Sequence, residues 1–166
     1  MCGIIGFKGY GDKNAVFETL MALEKLEYRG YDSSGIAYLR NGTTFLIKQA
    51  GCVEDLLLKV DPGAYSNNCI GHTRWATHGE PSEENAHPHQ SKDRVYIVHN
   101  GIIENYIELK DFLKTEGYFF TSQTDSELIA HMLDFFLNKG NSIIDSMYLT
   151  KEKLDGAYAI AAVDKE

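Results

Sequence analysis

Cys2, directly after Met1, is the residue in this chain best placed to act as a nucleophile. Methionine aminopeptidases usually remove an initiator Met before a small residue, and Cys2 would then carry a thiol and a free α-amine on one Cα. An α-amine has a reference pKa of about 7.7–8.0, against about 10.4 for lysine, so part of it is an unprotonated base at neutral pH. A nucleophile paired with a terminal amine is an established catalytic arrangement. The alternative is that position 2 merely tolerates cysteine.

Three further segments combine glycine with side chains suited to reaction or binding, and each follows a predicted strand or begins a helix. They are Tyr28–Gly35, Gly71–Gly79 and His99–Asn105. Within the last of them, Asn100 and Gly101 form an Asn-Gly pair, which by itself is also typical of a tight turn. Asp125 is preceded by Thr124, and taken alone it reads as an acidic residue in the first turn of a helix.

Short strands and amphipathic helices must position these residues. Hydrophobic periodicity predicts strands at Gly3–Phe7, Gly35–Leu39, Thr43–Ile47, Cys69–Thr73, Val95–Val98 and Ala157–Val163, and helices at Ala15–Glu27, Glu104–Glu116 and Ser142–Lys153. Asn41-Gly42 predicts a hairpin between the second and third strands. Thr124 and Glu127 form a capping-box pattern that predicts a further helix ending at Gly140. A long polar loop is expected from Arg74 to Arg94, and such loops are usually functional.

This order of elements indicates one domain of layered α+β or αββα architecture. The last predicted strand is apolar enough to need cover on both faces and partners at both edges. We therefore expect either that it is central in a sheet or that the chain is a fragment of a longer protein.

Composition excludes several classes of function. A net charge of −8 without a basic stripe argues against a nucleic-acid or anionic-membrane surface. No signal peptide or membrane-spanning stretch is predicted. Three cysteines, an odd number without framework spacing, indicate reduced thiols in a cytoplasmic protein. The six histidines lack the spacing of a zinc site, so no metal or cofactor is expected.

Five motifs in order resemble the glutaminase domains of class II glutamine amidotransferases. They are Cys2-Gly3-Ile4, Leu26–Gly35, Gly71–Gly79, His99–Gly101 and Thr124–Glu127. The resemblance covers essentially the whole chain, residues 1–166. It implies the N-terminal-nucleophile hydrolase fold, an αββα sandwich that would be incomplete at the C-terminus of this chain. An uncovered apolar patch or strand edge is then expected near Ala157–Val163, and self-association into a homo-oligomer is one way to cover it.

The resemblance also implies roles for individual residues. Cys2 would be the nucleophile, while the Asn100 side chain and the Gly101 backbone N–H would donate to the oxyanion. Arg74 would bind the α-carboxylate of glutamine, which its planar fork suits, and Asp125 would bind the α-ammonium group. The pocket would also be lined by Trp75, Thr77 and His78. Trp75 would gate an ammonia channel, although alone it reads equally as a core aromatic.

The implied reaction is hydrolysis of L-glutamine to L-glutamate and ammonia through a thioester on Cys2. The segment Arg74–Gly79 is similar to that of the family members that aminate fructose 6-phosphate to glucosamine 6-phosphate. The phosphosugar isomerase domains needed for that step are not among these residues. Two alternatives remain open: a class II amidotransferase with another acceptor, and a non-catalytic fragment. Arg29 and Asp32 are read as an ion pair supporting the first strand, as an alternative to substrate ligands.

Overall fold

Two antiparallel β-sheets pack face to face, and helices cover their outer faces. The computed structural model describes residues 2–76 and 79–165. In this part of the chain the layers follow the order helix, sheet, sheet, helix, so the predicted αββα architecture is observed.

The described residues form seven strands, five α-helices and one short 3-10 helix, Glu27–Arg29. The strands are β1 (Gly3–Lys8), β2 (Ser33–Arg40), β3 (Thr43–Ala50), β4 (Asn68–Arg74), β5 (His89–Ser91), β6 (Val95–Gly101) and β7 (Tyr158–Asp164). The helices are α1 (Ala15–Leu26), α2 (Val53–Lys59), α3 (Tyr106–Thr115), α4 (Ser126–Leu137) and α5 (Ile143–Lys153).

Every strand pair in the two sheets is antiparallel. The first sheet has the order β1-β4-β2-β3 and the second the order β5-β6-β7. The predicted hairpin joins β2 to β3, and its turn residues Asn41 and Gly42 have φ values of 52° and 75°. Positive φ at both central positions is the geometry of a type I′ turn, and the predicted hairpin is confirmed.

Three apolar layers hold the sandwich together. Between the sheets lie the buried side chains of Ala37, Ile70, Tyr96 and Val98. Val16, Leu20 and Leu23 of α1 cover the outer face of the first sheet, together with Val53 and Leu56 of α2. Helix α4 is buried along its whole length between the second sheet and its neighbouring helices.

Three sequence-based expectations differ from the structure. Helix α2 was not predicted, because seven residues are too short for a clear periodic signal. The predicted loop from Arg74 to Arg94 contains β5, a three-residue strand paired with β6. The capping box was wrong: α4 begins at Ser126 with Asp125 as its N-cap, and Thr124 bonds His89 instead.

The final strand lies at a sheet edge. In the described part of the chain β7 pairs with β6 alone, and none of its residues is fully buried. The expected strand edge near Ala157–Val163 is therefore present, and the alternative of a central, fully covered strand is wrong. No helix among the described residues is long and apolar enough to cross a membrane.

Candidate active site

Three strand ends meet at one end of the space between the sheets. Since β1 runs antiparallel to β4 with Gly3 opposite Thr73, the start of β1 lies beside the end of β4. Side chains alternate along a strand, so Cys2 shares a face with Ile4, and Arg74 shares a face with Ile70. On β6 of the other sheet, Asn100 likewise shares a face with Val98. The topology thus brings these three polar side chains to one end of the inter-sheet layer.

Cys2 is half-buried and contacts the segment that follows β4. Its Sγ accepts a hydrogen bond from the backbone N–H of Trp75 at 3.3 Å. Its neighbour Gly3 has no room for a side chain, because a Cβ there would lie 2.5 Å from Thr73 Oγ1 and 2.8 Å from Leu26 Cβ. The close approach of Gly3 to β4 and α1 therefore sets the position of Cys2.

Asn100 lies directly beside Cys2. Its side-chain nitrogen Nδ2 donates to the carbonyl oxygen of Cys2 at 3.0 Å. Its side-chain oxygen Oδ1 lies 2.9 Å from Nε2 of His72 on the opposite sheet. The amide therefore has its nitrogen on the side of Cys2.

Gly101 is the last residue of β6 and does not belong to a tight turn, so that interpretation of the Asn-Gly pair was wrong. Its φ is 134°, a conformation that residues with side chains rarely adopt. A Cβ at this position would also lie 2.3 Å from the carbonyl oxygen of Ala157. The strand can therefore end in this conformation only with glycine.

Arg74 ends β4 with its side chain buried and 5% exposed. Its guanidinium donates to the carbonyl oxygens of Gly79 and Glu80, each at 3.3 Å. Burial lowers the pKa of Arg74, while Cys2, Asp32 and Asp125 act in the opposite direction. A guanidinium stays protonated in proteins, so this is a fixed cation at the edge of the cleft.

Asp125 lies across the cleft as the N-cap residue of α4. Its Oδ2 accepts the backbone N–H of Ile103 at 2.8 Å, which ties the chain after β6 to the start of α4. Asp125 therefore supports the local backbone and also presents a negative charge opposite Arg74.

Among the remaining residues singled out in the sequence, Trp75 and Asp32 lie near the cleft. Trp75 is 45% exposed, so it is not a core aromatic; its ring packs edge-on against Tyr31 at 5.6 Å. Asp32 accepts the backbone N–H of Ala76 at 2.6 Å and so holds the segment that carries Arg74 and Trp75. Thr77 and His78 lie outside the described residues.

These residues surround a small cleft of about 60 Å³. Its lining comprises Cys2, Arg74, Trp75, His87, His99, Gly101, Ile102, Thr124, Asp125 and Ser126. A larger groove of about 810 Å³ lies between α5 and β7, but its lining is mainly apolar and includes no cysteine or histidine. We place the reactive chemistry in the smaller cleft, because it contains the thiol, the cation and the carboxylate.

Sequence reasoning missed a cluster of buried histidines beneath the cleft. His72, His87, His89 and His99 are each at most 5% exposed, and neighbouring rings contact one another edge-on. Burial lowers the pKa of His72 to about 3 and also lowers those of the other three, so the cluster is neutral at neutral pH. The available signal was the position of His72 inside one predicted strand and of His99 directly after another, since a polar side chain that is buried in a sheet needs a partner.

Comparison with known proteins supports the resemblance seen in the sequence. Residues 72–166, more than half of the chain, match the family described as "Glutamine amidotransferase domain". The glutamine–fructose-6-phosphate aminotransferase [isomerizing] of Clostridium acetobutylicum is 45% identical over 100% of this chain and 27% of its own length. The enzyme of the same name from Halalkalibacterium halodurans is 47% identical with the same coverage. This chain thus spans about a quarter of the length of these curated relatives.

A solved structure shares the fold. The glutamine phosphoribosylpyrophosphate amidotransferase of B. subtilis, complexed with ADP and GMP, superposes with a TM-score of 0.81 at 24% identity. The match covers 98% of this chain and 35% of that chain. This likeness confirms the predicted N-terminal-nucleophile αββα sandwich. Together with the family match over residues 72–166, it leads to one conclusion: the chain belongs to the glutamine amidotransferase domain family.

Proposed function

We propose that this domain hydrolyses L-glutamine to L-glutamate and ammonia, with Cys2 as the nucleophile. The observation that carries the proposal is the convergence of Cys2, Arg74 and Asp125 on one cleft, with the side chain of Asn100 bonded to Cys2 beside it. A thiol beside an amide donor suits acyl transfer, and a cation facing a carboxylate suits the two charges of a free amino acid.

In the proposed reaction, Cys2 Sγ attacks the side-chain amide carbon of glutamine, and the thiol proton passes through a water to the α-amine of Cys2. This requires removal of Met1. Nδ2–H of Asn100 and the backbone N–H of Gly101 donate hydrogen bonds to the amide oxygen, on which negative charge develops. Loss of one such donor typically raises the barrier by about 2.7–4 kcal/mol.

Collapse of the tetrahedral intermediate breaks the C–N bond of the glutamine side chain. The protonated α-amine of Cys2 gives its proton to the departing nitrogen, which leaves as ammonia. The thioester that remains on Cys2 is then attacked by water, which releases glutamate and restores the thiol. No cofactor is needed to balance these steps. Arg74 holds the α-carboxylate and Asp125 the α-ammonium group, with Trp75, Thr77 and His78 completing the pocket.

At the scale of the whole protein, we propose that the ammonia aminates fructose 6-phosphate to glucosamine 6-phosphate in the cytoplasm. The support is the name shared by the relatives at 45–47% identity. The acceptor chemistry would then belong to phosphosugar isomerase domains outside these residues. A different acceptor would be revealed by supplying the full-length protein with glutamine and either fructose 6-phosphate or phosphoribosylpyrophosphate.

The decisive experiment is glutamate release from glutamine by the parent and by Cys2→Ala, combined with intact mass spectrometry. We expect Met1 to be absent from the active parent, and Cys2→Ala to have no turnover. A glutamine-like diazo-ketone should label Cys2 and neither Cys52 nor Cys69. Labelling of an internal cysteine, or activity in Cys2→Ala, would refute the proposed nucleophile.

A further inference from the structure

His72 connects the two sheets directly beneath the cleft. It lies on β4 in the first sheet, opposite Ile4 of β1 and Gly35 of β2. Its Nε2 lies 3.0 Å from the carbonyl oxygen of His99 and 2.9 Å from Oδ1 of Asn100, both on β6 of the second sheet. One ring nitrogen of a fully buried side chain thus contacts two consecutive residues of the other sheet.

The carbonyl contact determines which nitrogen of His72 carries the hydrogen. A backbone carbonyl oxygen can only accept a hydrogen bond, so Nε2 must donate. Burial lowers the pKa of His72 to about 3, so at neutral pH the ring is neutral and holds a single N–H. That hydrogen is therefore on Nε2. Nδ1 of His87 lies 3.0 Å from the same nitrogen, and its lone pair is compatible with this tautomer.

The tautomer of His72 in turn determines the orientation of the Asn100 amide. An amide group has an acceptor side and a donor side, and the side that faces Nε2–H must be the oxygen. The nitrogen Nδ2 then points the opposite way, where it donates to the carbonyl oxygen of Cys2 at 3.0 Å. A flipped amide would place two donors against each other at His72 and two acceptors against each other at Cys2.

We propose that His72 is a positioning residue for Asn100, whose side-chain oxygen it holds so that the amide nitrogen stays on the side of Cys2, where it can donate to the developing oxyanion. The inference rests on the proposed function, since it needs Asn100 as a donor to the developing oxyanion. Preorganised donors stabilise a transition state because they need no reorientation during the reaction. His72 supplies this preorganisation without touching the substrate.

Two substitutions of His72 by amide residues test whether a donor must reach Asn100 or whether any polar side chain suffices at this position. In His72→Gln the amide nitrogen can occupy the place of Nε2. In His72→Asn the side chain is too short for its amide nitrogen to reach Asn100. We expect His72→Asn to lower kcat for glutamine hydrolysis by about tenfold to a hundredfold, part of the loss seen on removing an oxyanion donor. KM should stay within about twofold, and His72→Gln should recover most of the turnover.

A double-mutant cycle with Asn100→Ala distinguishes positioning from general destabilisation. Once Asn100 is removed, His72→Asn should lower kcat no further. The control is Tyr118→Phe, which removes a buried hydrogen bond to Asp134 away from the cleft. It should lower the unfolding temperature and leave kcat within about twofold of the parent. If His72→Asn does not fold, His72→Leu, which has no side-chain donor, takes its place.

The parent protein offers a direct measurement. In 15N-histidine-labelled protein at pH 7, Nε2 of His72 should show the chemical shift of a protonated, pyrrole-type nitrogen, assigned by its loss in His72→Gln. A pyridine-type shift at Nε2 would overturn the proposal. So would an equal loss of kcat from His72→Asn in the parent and in Asn100→Ala. If Asn100→Ala leaves kcat unchanged, the proposed role of Asn100 as an oxyanion donor is wrong. If Asn100→Ala lowers kcat but His72→Asn does not, the proposed role of Asn100 stands and the inference about His72 is wrong.

Discussion

At the residue scale, the site side chains of the cleft also hold the backbone that surrounds them. Arg74 donates to the carbonyls of Gly79 and Glu80, and Asp125 accepts the N–H of Ile103. A truncation to alanine would therefore remove both a proposed substrate ligand and a structural hydrogen bond. Conservative substitutions that keep one of the two are more informative.

Asp125→Asn removes the negative charge but keeps an oxygen that can accept the N–H of Ile103. We expect KM for glutamine to rise by about tenfold to a hundredfold, since hydrogen bonds to charged groups contribute about 1.5–3 kcal/mol. The change in kcat should be small, because the α-ammonium group is bound equally in the ground and transition states. Steady-state kinetics measures both constants. Asp111→Asn, an exposed change on α3, is the control; an unaltered KM in Asp125→Asn would place the ammonium site elsewhere.

Gly3→Ala tests how closely Cys2 depends on the packing of its neighbour. The new Cβ would clash with Thr73 Oγ1 and Leu26 Cβ, and overpacking of this kind costs about 1–3 kcal/mol. We expect a lower unfolding temperature together with a lower kcat, because relief of the clash displaces Cys2. Gly6→Ala on the same strand is the matched control, since its Cβ would meet Ala161 at an ordinary 3.5 Å. Equal behaviour of the two variants would contradict this account of Gly3.

At the element scale, α4 extends from the candidate active-site cleft into the core. It is buried along its length, and its first turn carries Asp125 and Ser126 to the cleft. Glu127 turns away from the cleft and accepts the backbone N–H groups of Thr121 and Ser122 at 2.7–3.0 Å. Burial alone would raise the pKa of Glu127, but hydrogen bonds from His131, Thr121 and Ser122 outweigh it and hold the pKa far below its usual range. This carboxylate therefore anchors the start of α4 to the preceding loop.

Glu127→Gln should destabilise this anchor strongly. The neutral side chain loses charge-assisted bonds and can turn an NH₂ group toward two buried N–H donors. We expect the free energy of unfolding to fall by about 2–4 kcal/mol, in line with bonds of about 1.5–3 kcal/mol to charged groups. Denaturant titration measures this loss. Glu83→Gln, which breaks an exposed pair with Lys59, is the control and should cost at most about 1 kcal/mol; similar losses in both variants would count against the anchor.

At the scale of the whole molecule, the sandwich contains a neutral histidine cluster at one end of its interior. Below their pKa of about 6.5, unfolded histidines take up protons. The folded cluster takes up protons only at lower pH, because burial lowers the pKa of each of its members. The resulting stability is complete above about pH 6.5 and is lost as the pH falls from there toward the folded pKa values.

We therefore expect the free energy of unfolding to decrease between pH 7.5 and pH 5.5. Each histidine that stays neutral contributes about 1.4 kcal/mol per pH unit below 6.5. Carboxylates, with unfolded pKa values of about 4, titrate below this window. Denaturant titrations across this range measure the slope of the unfolding free energy against pH. His89→Gln should reduce that slope by the contribution of one histidine. A stability that does not change over these two pH units would show that the cluster can be protonated while folded.

Local sequence determined most of the elements of this fold. Asn41-Gly42 predicted the hairpin of β2 and β3, because turn geometry depends on neighbouring residues, and short strands were also predicted at the positions of β4 and β6. Thr124-Asp125-Ser126-Glu127 shows where local reasoning fails. These four residues match the capping-box pattern, but Thr124 hydrogen-bonds His89 and Glu127 accepts a hydrogen bond from Thr121. These contacts replace the hydrogen bonds that a capping box would make within the first turn of the helix.

The sequence by itself determined the family, the nucleophile Cys2 as a candidate and the polar residues expected around it. Only the tertiary structure decided that Asn100 faces Cys2 and that His72 holds it there. Alternation along β4 and β6 shows that each side chain faces one side of its sheet, but not which residue of the other sheet it meets. That choice depends on how two sheets pack, and packing brings together His72 and Asn100 across 28 positions of the chain.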